Sequence, residues 1–453
     1  MKLARVGGRI FAGRVGQVAA NAAVVVVVAQ RLGPAGQGHY SLTLAATLLA
    51  ASLLGGGMGL AAVPALGQGR IRPGRLMRAQ FLWLGGMLLV LGAGAEAAIA
   101  QPRAAAWLAL HLGWTPGVAR LAALGAFGML GFEIFSYNLL ARGRLVVGSA
   151  INGWRAFGHL LLVLALRLAG SLTLATSVAA FAVAQAGGLV AIIVVAARDL
   201  RRPSPIPAGE GQAPAVPLRR TEVPDDLDTR PLRRLIAFNL RNGSVGQLSA
   251  VAYFLLLRLD QAFLEHYRGP AEVGIYSLAV YVGELLWLLP GALTPLLVHS
   301  SADVDGDRRR DRTAARAVRL GLGLTLAAAL PLYLLAAPLL KFAGGGQYLA
   351  SGAALRALLP GIVAFAPGVV LAGDFIGRGR PHWNTQASVA TVAVNVAAVL
   401  LIVPRHGAVG AAWASSIAYA AGSAIMLWRF RRATGMSLRG LALGRHRRPL
   451  PPA

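Results

Sequence analysis

The sequence predicts an all-α polytopic membrane protein of about twelve transmembrane helices, built as two pseudo-equivalent six-helix lobes. Three observations predict it. The chain is 56% hydrophobic and only 13% charged, with a mean hydropathy of +0.61, whereas soluble domains carry about 25% charged residues. Its apolar residues fall in runs of about 20, the length a helix needs to cross a bilayer. Finally, one pattern is used twice. Gly33-Pro34-Ala35-Gly36-Gln37-Gly38-His39-Tyr40-Ser41-Leu42 returns as Gly269-Pro270-Ala271-Glu272-Val273-Gly274-Ile275-Tyr276-Ser277-Leu278, 236 residues later. Arg142-Gly143-Arg144 and Arg378-Gly379-Arg380 share that offset. Duplicated halves are a common build for transporters.

The predicted spans follow in order. The first lobe, residues 1–197, holds runs at 10–31, 38–62, 79–100, 118–140, 147–167 and 172–197. The N-terminal basic residues followed by Val24 to Val28 resemble a signal peptide. They lead straight into the first copy of the repeat, so they read as an uncleaved first helix. Residues 198–232 carry Pro203, Pro205, Pro207, Pro214, Pro217, Pro224 and Pro231 without apolar periodicity. They read as a flexible cytoplasmic linker. The second lobe, 233–429, holds runs at 238–263, 272–298, 317–338, 350–376, 384–403 and 409–429. Six helices are an even number, so both halves share one orientation, about an axis along the membrane normal. Residues 430–453 read as a basic, disordered cytoplasmic tail.

The net charge of +27 follows this topology. Thirty-three of the 44 Lys and Arg residues fall on the termini, the linker and alternate loops, and only seven on the opposite set. That is the positive-inside pattern. It places both termini in the cytoplasm, adds attraction to anionic lipid headgroups, and argues against nucleic-acid binding. The chain has no cysteine, which excludes disulfides, Cys-ligated zinc and iron–sulfur clusters. Its eight histidines lack metal-ligand spacing. There is no nucleophile elbow, P-loop or acidic metal motif, and no outer loop large enough for an active site. The expectation is a non-enzyme with neither cofactor nor metal.

The repeated Gly-Pro pattern reads as a tight helical hairpin with its tyrosine half wet at the interface. The chemistry lies instead in polar residues at membrane depth, which are costly and usually face a cavity or a partner. Asn152, Arg155 and His159 share one face of the fifth helix. The equivalent positions of the eleventh are neutral: Ser388, Thr391 and Asn395. Arg155, with a fork suited to phosphate, is a candidate anion contact. Arg14 shares a face with Gln17 and Asn21 on the first helix. The seventh helix projects Asn239, Asn242, Ser249, Tyr253 and Asp260 within one arc, with Arg258 pointing away. Arg258 and Asp260 are expected half solvated near its outer end. Glu284 lies with Tyr281 on the eighth helix and Glu133 with Tyr137 on the fourth. Substrate-binding candidates are therefore Arg14, Arg155, Arg258, Asp260, Asn152, Asn242 and Tyr253. Ion-coupling candidates are Glu133, Asp260 and Glu284, with His159 as relay, for a proton or a sodium ion.

RLGPAGQGHYSL (31–42), LRLDQAFL (257–264), RGPAEVGIYSLAVYVGELLWLLPGALTPLL (268–297) and PRHGAVGAAWA (404–414) together resemble the polysaccharide-export flippases, the Wzx-type branch of the MOP transporter superfamily. The resemblance runs in order over nearly the whole chain. It implies two six-helix lobes around a central cavity. It also implies movement of a polyprenyl diphosphate-linked oligosaccharide from the inner to the outer leaflet, with cavity arginines on the diphosphate and polysaccharide assembly enzymes as contacts. By that analogy Arg258 and Asp260 match the seventh helix's Asp and its neighbouring cation. A cation or drug antiporter of the same superfamily is one alternative, for which Asp260, Glu284, Tyr253 and Tyr281 would serve. A membrane oligosaccharide polymerase or ligase is another, disfavoured by the short outer loops.

Overall fold

The computed structural model describes residues 2–200, 223–224, 226–294, 297, 307–437 and 440–441. These residues are helical with short connections, and no strand occurs among them. The helices are α1 (Lys2–Gly55), α2 (Ala62–Gly67), α3 (Pro73–Ala100), α4 (Pro102–Leu112), α5 (Pro116–Ala141), α6 (Leu145–Leu168), α7 (Leu174–Leu200), α8 (Leu232–Arg268), α9 (Pro270–Glu284), α10 (Leu288–Gly291), α11 (Asp307–Leu334), α12 (Ala336–Gly344), α13 (Ser351–Gly377) and α14 (His382–Thr434). Among the described residues, nine spans are long and apolar enough to cross a membrane. Two of these are double, because α1 bends at Gly33 (φ 67°) and α14 at Gly407 (φ 54°). With the more polar 37-residue α8, the predicted twelve crossings are present. The chain is a multi-pass α-helical membrane protein.

Proline and glycine punctuate these helices in the usual asymmetric way. α3, α4, α5 and α9 each begin on proline, where a missing N–H costs nothing. Both Arg-Gly-Arg repeats close a helix identically. Gly143 (φ 71°) and Gly379 (φ 70°) take the left-handed conformation. Gly143 N–H donates to Leu140 O (3.0 Å) and Arg144 N–H to Leu139 O (2.8 Å); Gly379 donates to Ile376 O (2.9 Å) and Arg380 to Phe375 O (2.8 Å). This is a Schellman cap, and it requires a residue free to adopt positive φ at that one position.

The molecule divides into two compact units. The first contains residues 1–251 and 269–274. Its core packs α1, α3, α5 and α7 through Ala51, Leu84, Leu130, Phe135, Leu189 and Ile192, and a second cluster joins Val28, Tyr40, Val118, Val163 and Val178. A third cluster takes in chain from the predicted linker. Val223 and the fully buried Leu227 pack with Ala62, Leu76 and Leu235, Arg72 pairs with Asp228 (2.6 Å), and Arg75 donates to Arg230 O. So α7 runs on to Leu200, and 223–224 and 226–231 are folded chain rather than free tether. Residues 201–222, with five of the seven linker prolines, and Asp225 lie outside the described residues.

This unit also explains the duplicated Gly-Pro pattern. A Cβ on Gly38 would stand 1.8 Å from Pro270 O, and one on Gly274 would stand 1.8 Å from Pro34 O. The two copies meet backbone to backbone and reciprocally, each through its last glycine and the other's proline. Only glycine permits that approach. The tyrosines that follow are not half wet as expected. Tyr40 is fully buried and Tyr276 is 1% exposed, because each turns inward to a polar partner.

The second unit contains residues 252–268 and 275–453. Its heart is α13 against α14. α13 carries Pro360 and Pro367, each followed by glycine. The backbone groups loosened there are satisfied from α14. Ser416 donates to Ala357 O (2.6 Å) and accepts from Gly361 N–H (3.2 Å); seven residues on, Ser423 accepts from Gly368 N–H (3.2 Å). A hydroxyl filling a proline gap is one way a membrane helix tolerates proline. The predicted tail begins inside this unit: Phe430, Met436 and Leu441 are buried beside Val318 and Phe375, and Arg319 donates to Leu441 O (2.7 Å). Its first residues are therefore packed, while 442–453 lie outside the described residues.

Candidate functional site

Each unit holds its own polar cluster at membrane depth. In the first unit the cluster is built on α6. Asn152 Nδ2 donates to Gln17 Oε1 of α1 (2.8 Å), and Asn152 Oδ1 accepts from Arg155 Nη2 (2.5 Å). Arg155 Nη1 donates to Gln185 Oε1 of α7, and the guanidinium lies over the Phe132 ring of α5, 4.5 Å from its centre. Gly188 makes room for it, since a Cβ there would meet Arg155 Cδ at 2.6 Å. One turn along α6, His159 is 6% exposed; its Nε2 lies 3.3 Å from Tyr40 Oη, and its ring meets Phe181 edge-on. Arg155 is thus gripped by neutral carbonyl oxygens and an aromatic face. Among the described residues no carboxylate pairs with it.

In the second unit the corresponding chemistry is neutralised. Arg258 of α8 forms a two-pronged pair with Glu284 of α9, at 2.7 and 3.0 Å, and lies over Tyr281 (5.3 Å). Both partners are largely buried, at 15% and 18% side-chain exposure. Asp260, expected half solvated, is 1% exposed. Its Oδ1 accepts from Gln261 N–H (2.8 Å), and its Oδ2 accepts from the Tyr276 and Ser415 hydroxyls, the latter at 2.8 Å. Three donors converge on one carboxylate, and it lies inside helix packing rather than at a wet helix end.

The structure therefore brings together Asn152, Arg155 and His159 along one helix face, as their spacing predicts, and separately Arg258 with Glu284. It disperses the rest. Arg14 is exposed on α1. Asn242 donates to Phe238 O of its own helix (2.8 Å). Tyr253 is 42% exposed. Glu133 is half-buried on α5 and has no ion-pair partner among the described residues. Two carboxylates outside this set are paired as well: Glu96 with Arg120 through both oxygens, at 2.6 and 2.9 Å, and Asp374 with Arg378 one turn on, at 2.6 Å. Gln185 and Gly188, which complete the Arg155 setting, were not singled out. The signal was there: a lone glutamine with glycine three residues later on an otherwise apolar helix makes a notch with a polar edge.

Metal ligation has no counterpart here: no group of three or more His, Asp or Glu gathers among the described residues.

No protein-family model and no curated protein matches the chain. Solved structures do. A structure described as the lipid II flippase MurJ in an inward closed conformation superposes with a TM-score of 0.73 at 12% identity, covering 96% of this chain and 91% of that one. An inward-facing multidrug resistance MATE family transporter of the MOP superfamily superposes at 0.68 and 15% identity, with 92% and 94% covered. An outward-facing MATE transporter does so at 0.66 and 15%, with 95% of each chain covered. Shared architecture over whole chains at so low an identity speaks for fold alone: this protein carries the fold of the MOP-superfamily transporters.

Proposed function

We propose that the protein is a flippase that moves an anionic lipid-linked oligosaccharide, carried on a polyprenyl diphosphate, from the inner to the outer leaflet by alternating access. The observation that carries this reading is Arg155. A guanidinium in a membrane span is costly to insert, and this one is held by Asn152 and Gln185 without an anionic partner among the described residues. Neutral oxygens orient the charge and leave it uncancelled, as a site for a phosphate-bearing ligand requires. Arg258, the other candidate contact for the diphosphate, is paired with Glu284, so this reading assigns the phosphate contact to Arg155 and a structural role to Arg258. The MurJ likeness supports the same class of cargo. By the family resemblance the membrane would be a bacterial inner membrane, and the distribution of lysine and arginine would put both termini on its cytoplasmic side.

A second reading, an ion-coupled cation or drug antiporter, is favoured by Glu133 and by the MATE likenesses. Glu133, a carboxylate in a span without a cation partner among the described residues, would take up the coupling proton or sodium ion in either reading.

Leaflet transfer in proteoliposomes separates the two. A fluorescent polyprenyl diphosphate-linked oligosaccharide is expected to cross with wild-type protein. The rate should fall by about 10²-fold in Arg155→Ala, a loss near 2.7 kcal/mol on the scale of a truncated buried charge contact. It should persist in Arg14→Ala. Uptake of a quaternary cation without glycolipid transfer, lost in Glu133→Gln, would assign the protein to the antiporters.

A further inference from the structure

The duplication exposes a place in the second unit that has lost its acid. In the first unit Arg144 is neutralised by Asp199 at the end of α7 (2.7 Å). The residues 236 positions on are Arg380 and Gly435: the cation is kept and its carboxylate is gone. The same stretch has gained positive charge. Ile193, Val195 and Ala196 of α7 correspond to Arg429, Arg431 and Arg432 of α14. Two of the second unit's cations gather on one ring. α14 bends at Gly407, so its start and its end come together. Trp383, from its first turn, has Arg380 at 4.7 Å and Arg429 at 5.8 Å from the ring centre. Arg380 is exposed and Arg429 half-buried. Among the described residues no carboxylate pairs with either one. The Arg429 Nε is enclosed without a hydrogen-bond acceptor, which a buried donor ordinarily has. The indole attracts each guanidinium, but two like charges beside one ring repel each other, and only an anion removes that cost.

We propose that Arg380, Trp383 and Arg429 form a binding site for the headgroup phosphate of an anionic phospholipid. Charge identifies the anion: two guanidinium groups without acidic partners offer forked donors that match phosphate oxygens. Position identifies the lipid. α13 ends at Gly377 and α14 begins at His382, and both are long and apolar enough to cross a membrane. The site therefore stands where spans leave the hydrocarbon, at headgroup level. Indoles are enriched at that level, and a second one follows the pattern: Trp428 is 49% exposed, with Arg432 4.6 Å over its ring. The lipid supplies from outside the chain the negative charge that Asp199 supplies within the first unit, and so ties the α13–α14 turn to the end of α14. The site does not depend on what the protein transports.

Native mass spectrometry of the purified protein, offered equimolar phosphatidylglycerol and phosphatidylcholine with the same acyl chains, reads the preference. Wild type is expected to retain phosphatidylglycerol selectively. Arg380→Gln and Arg429→Gln should each weaken that retention about fivefold, the equivalent of ~1 kcal/mol for one cation at a lipid surface. Trp383→Leu, which removes the ring and no charge, should weaken it too. Arg312→Gln removes one charge from the exposed face of α11, one residue from the Asp311 that Arg378 holds, and should leave retention unchanged. Equal retention of the two lipids by wild type would overturn the proposal. So would a loss in Arg312→Gln as large as that in Arg380→Gln, which would mark diffuse charge rather than a built site. Displacement of the lipid by millimolar inorganic phosphate would also overturn it, by assigning the site to a soluble anion.

Discussion

The two Arg-Gly-Arg turns share one backbone and hold different charges. In the first unit Arg142 and Arg144 both clasp Asp199 at the end of α7, at 3.1 and 2.7 Å: two cations on one buried carboxylate. In the second unit the count is reversed: one cation meets two carboxylates. Arg378 pairs with Asp374 and Asp311, at 2.6 and 2.7 Å, while Arg380 lies over the Trp383 ring. The position equivalent to Asp374 is Asn138, which makes its neutral amide pair with Gln80. The tyrosines diverge in the same sense, Tyr40 facing His159 and Tyr276 facing Asp260. Duplication has kept what the backbone needs, the glycine with positive φ and the cap bonds. The side-chain partners have been rewritten one by one.

The reversed count sets the largest expected effect. Arg378→Ala removes the cation that two buried carboxylates share, Asp374 at 0% and Asp311 at 6% exposure, and should destabilise the protein by about 3–5 kcal/mol. Arg142→Ala should cost less, about 1.5–3 kcal/mol, because Arg144 still holds Asp199. Thermal unfolding in detergent would rank the two, and equal losses would mean the clasps are interchangeable. Next come the reciprocal glycines. Gly38→Ala and Gly274→Ala should each lower stability by about 1–3 kcal/mol through overpacking. The double variant should cost less than the sum, since separating the two hairpins once relieves both clashes; strict additivity would show that the contacts are independent. The smallest effect belongs to the neutral pair. Gln80→Leu should cost about 0.6–1.7 kcal/mol, as hydrogen bonds between membrane helices do. A loss as large as that of Arg378→Ala would erase the distinction between the neutral and the charged version of the site.

Much of the architecture was legible because it is periodic. Helix count, the doubled pattern and the i, i+4 pairing of Asp374 with Arg378 all follow from spacing along one chain. Asn152, Arg155 and His159 were readable as one face for the same reason. The partners were not legible, because they come from helices far away in sequence. Nothing local says that Arg258 meets Glu284 rather than a ligand, or that Asp260 is enclosed by Tyr276 and Ser415. The expectation of wet tyrosines failed on the same ground. A tyrosine after a Gly-Pro turn fits the membrane interface, but a buried hydroxyl acceptor elsewhere in the fold outweighed it. The linker reading took in Leu227 as flexible chain, yet this one leucine finds a hydrophobic slot among α2, α3 and α8 that proline content cannot reveal.

That slot has a consequence for synthesis. Leu227 and Leu235 complete a core whose other members, Ala62, Ala65, Leu76 and Ala79, leave the ribosome some 150 residues earlier. Gln247 of α8 then donates to Ser52 O, and the reciprocal glycine contact waits for residue 274. The first six predicted spans cannot mature as a finished body on their own. They must stay in the bilayer, partly assembled, until the eighth and ninth helices have been translated. A nascent chain arrested before residue 223 would be the form most open to quality-control proteolysis.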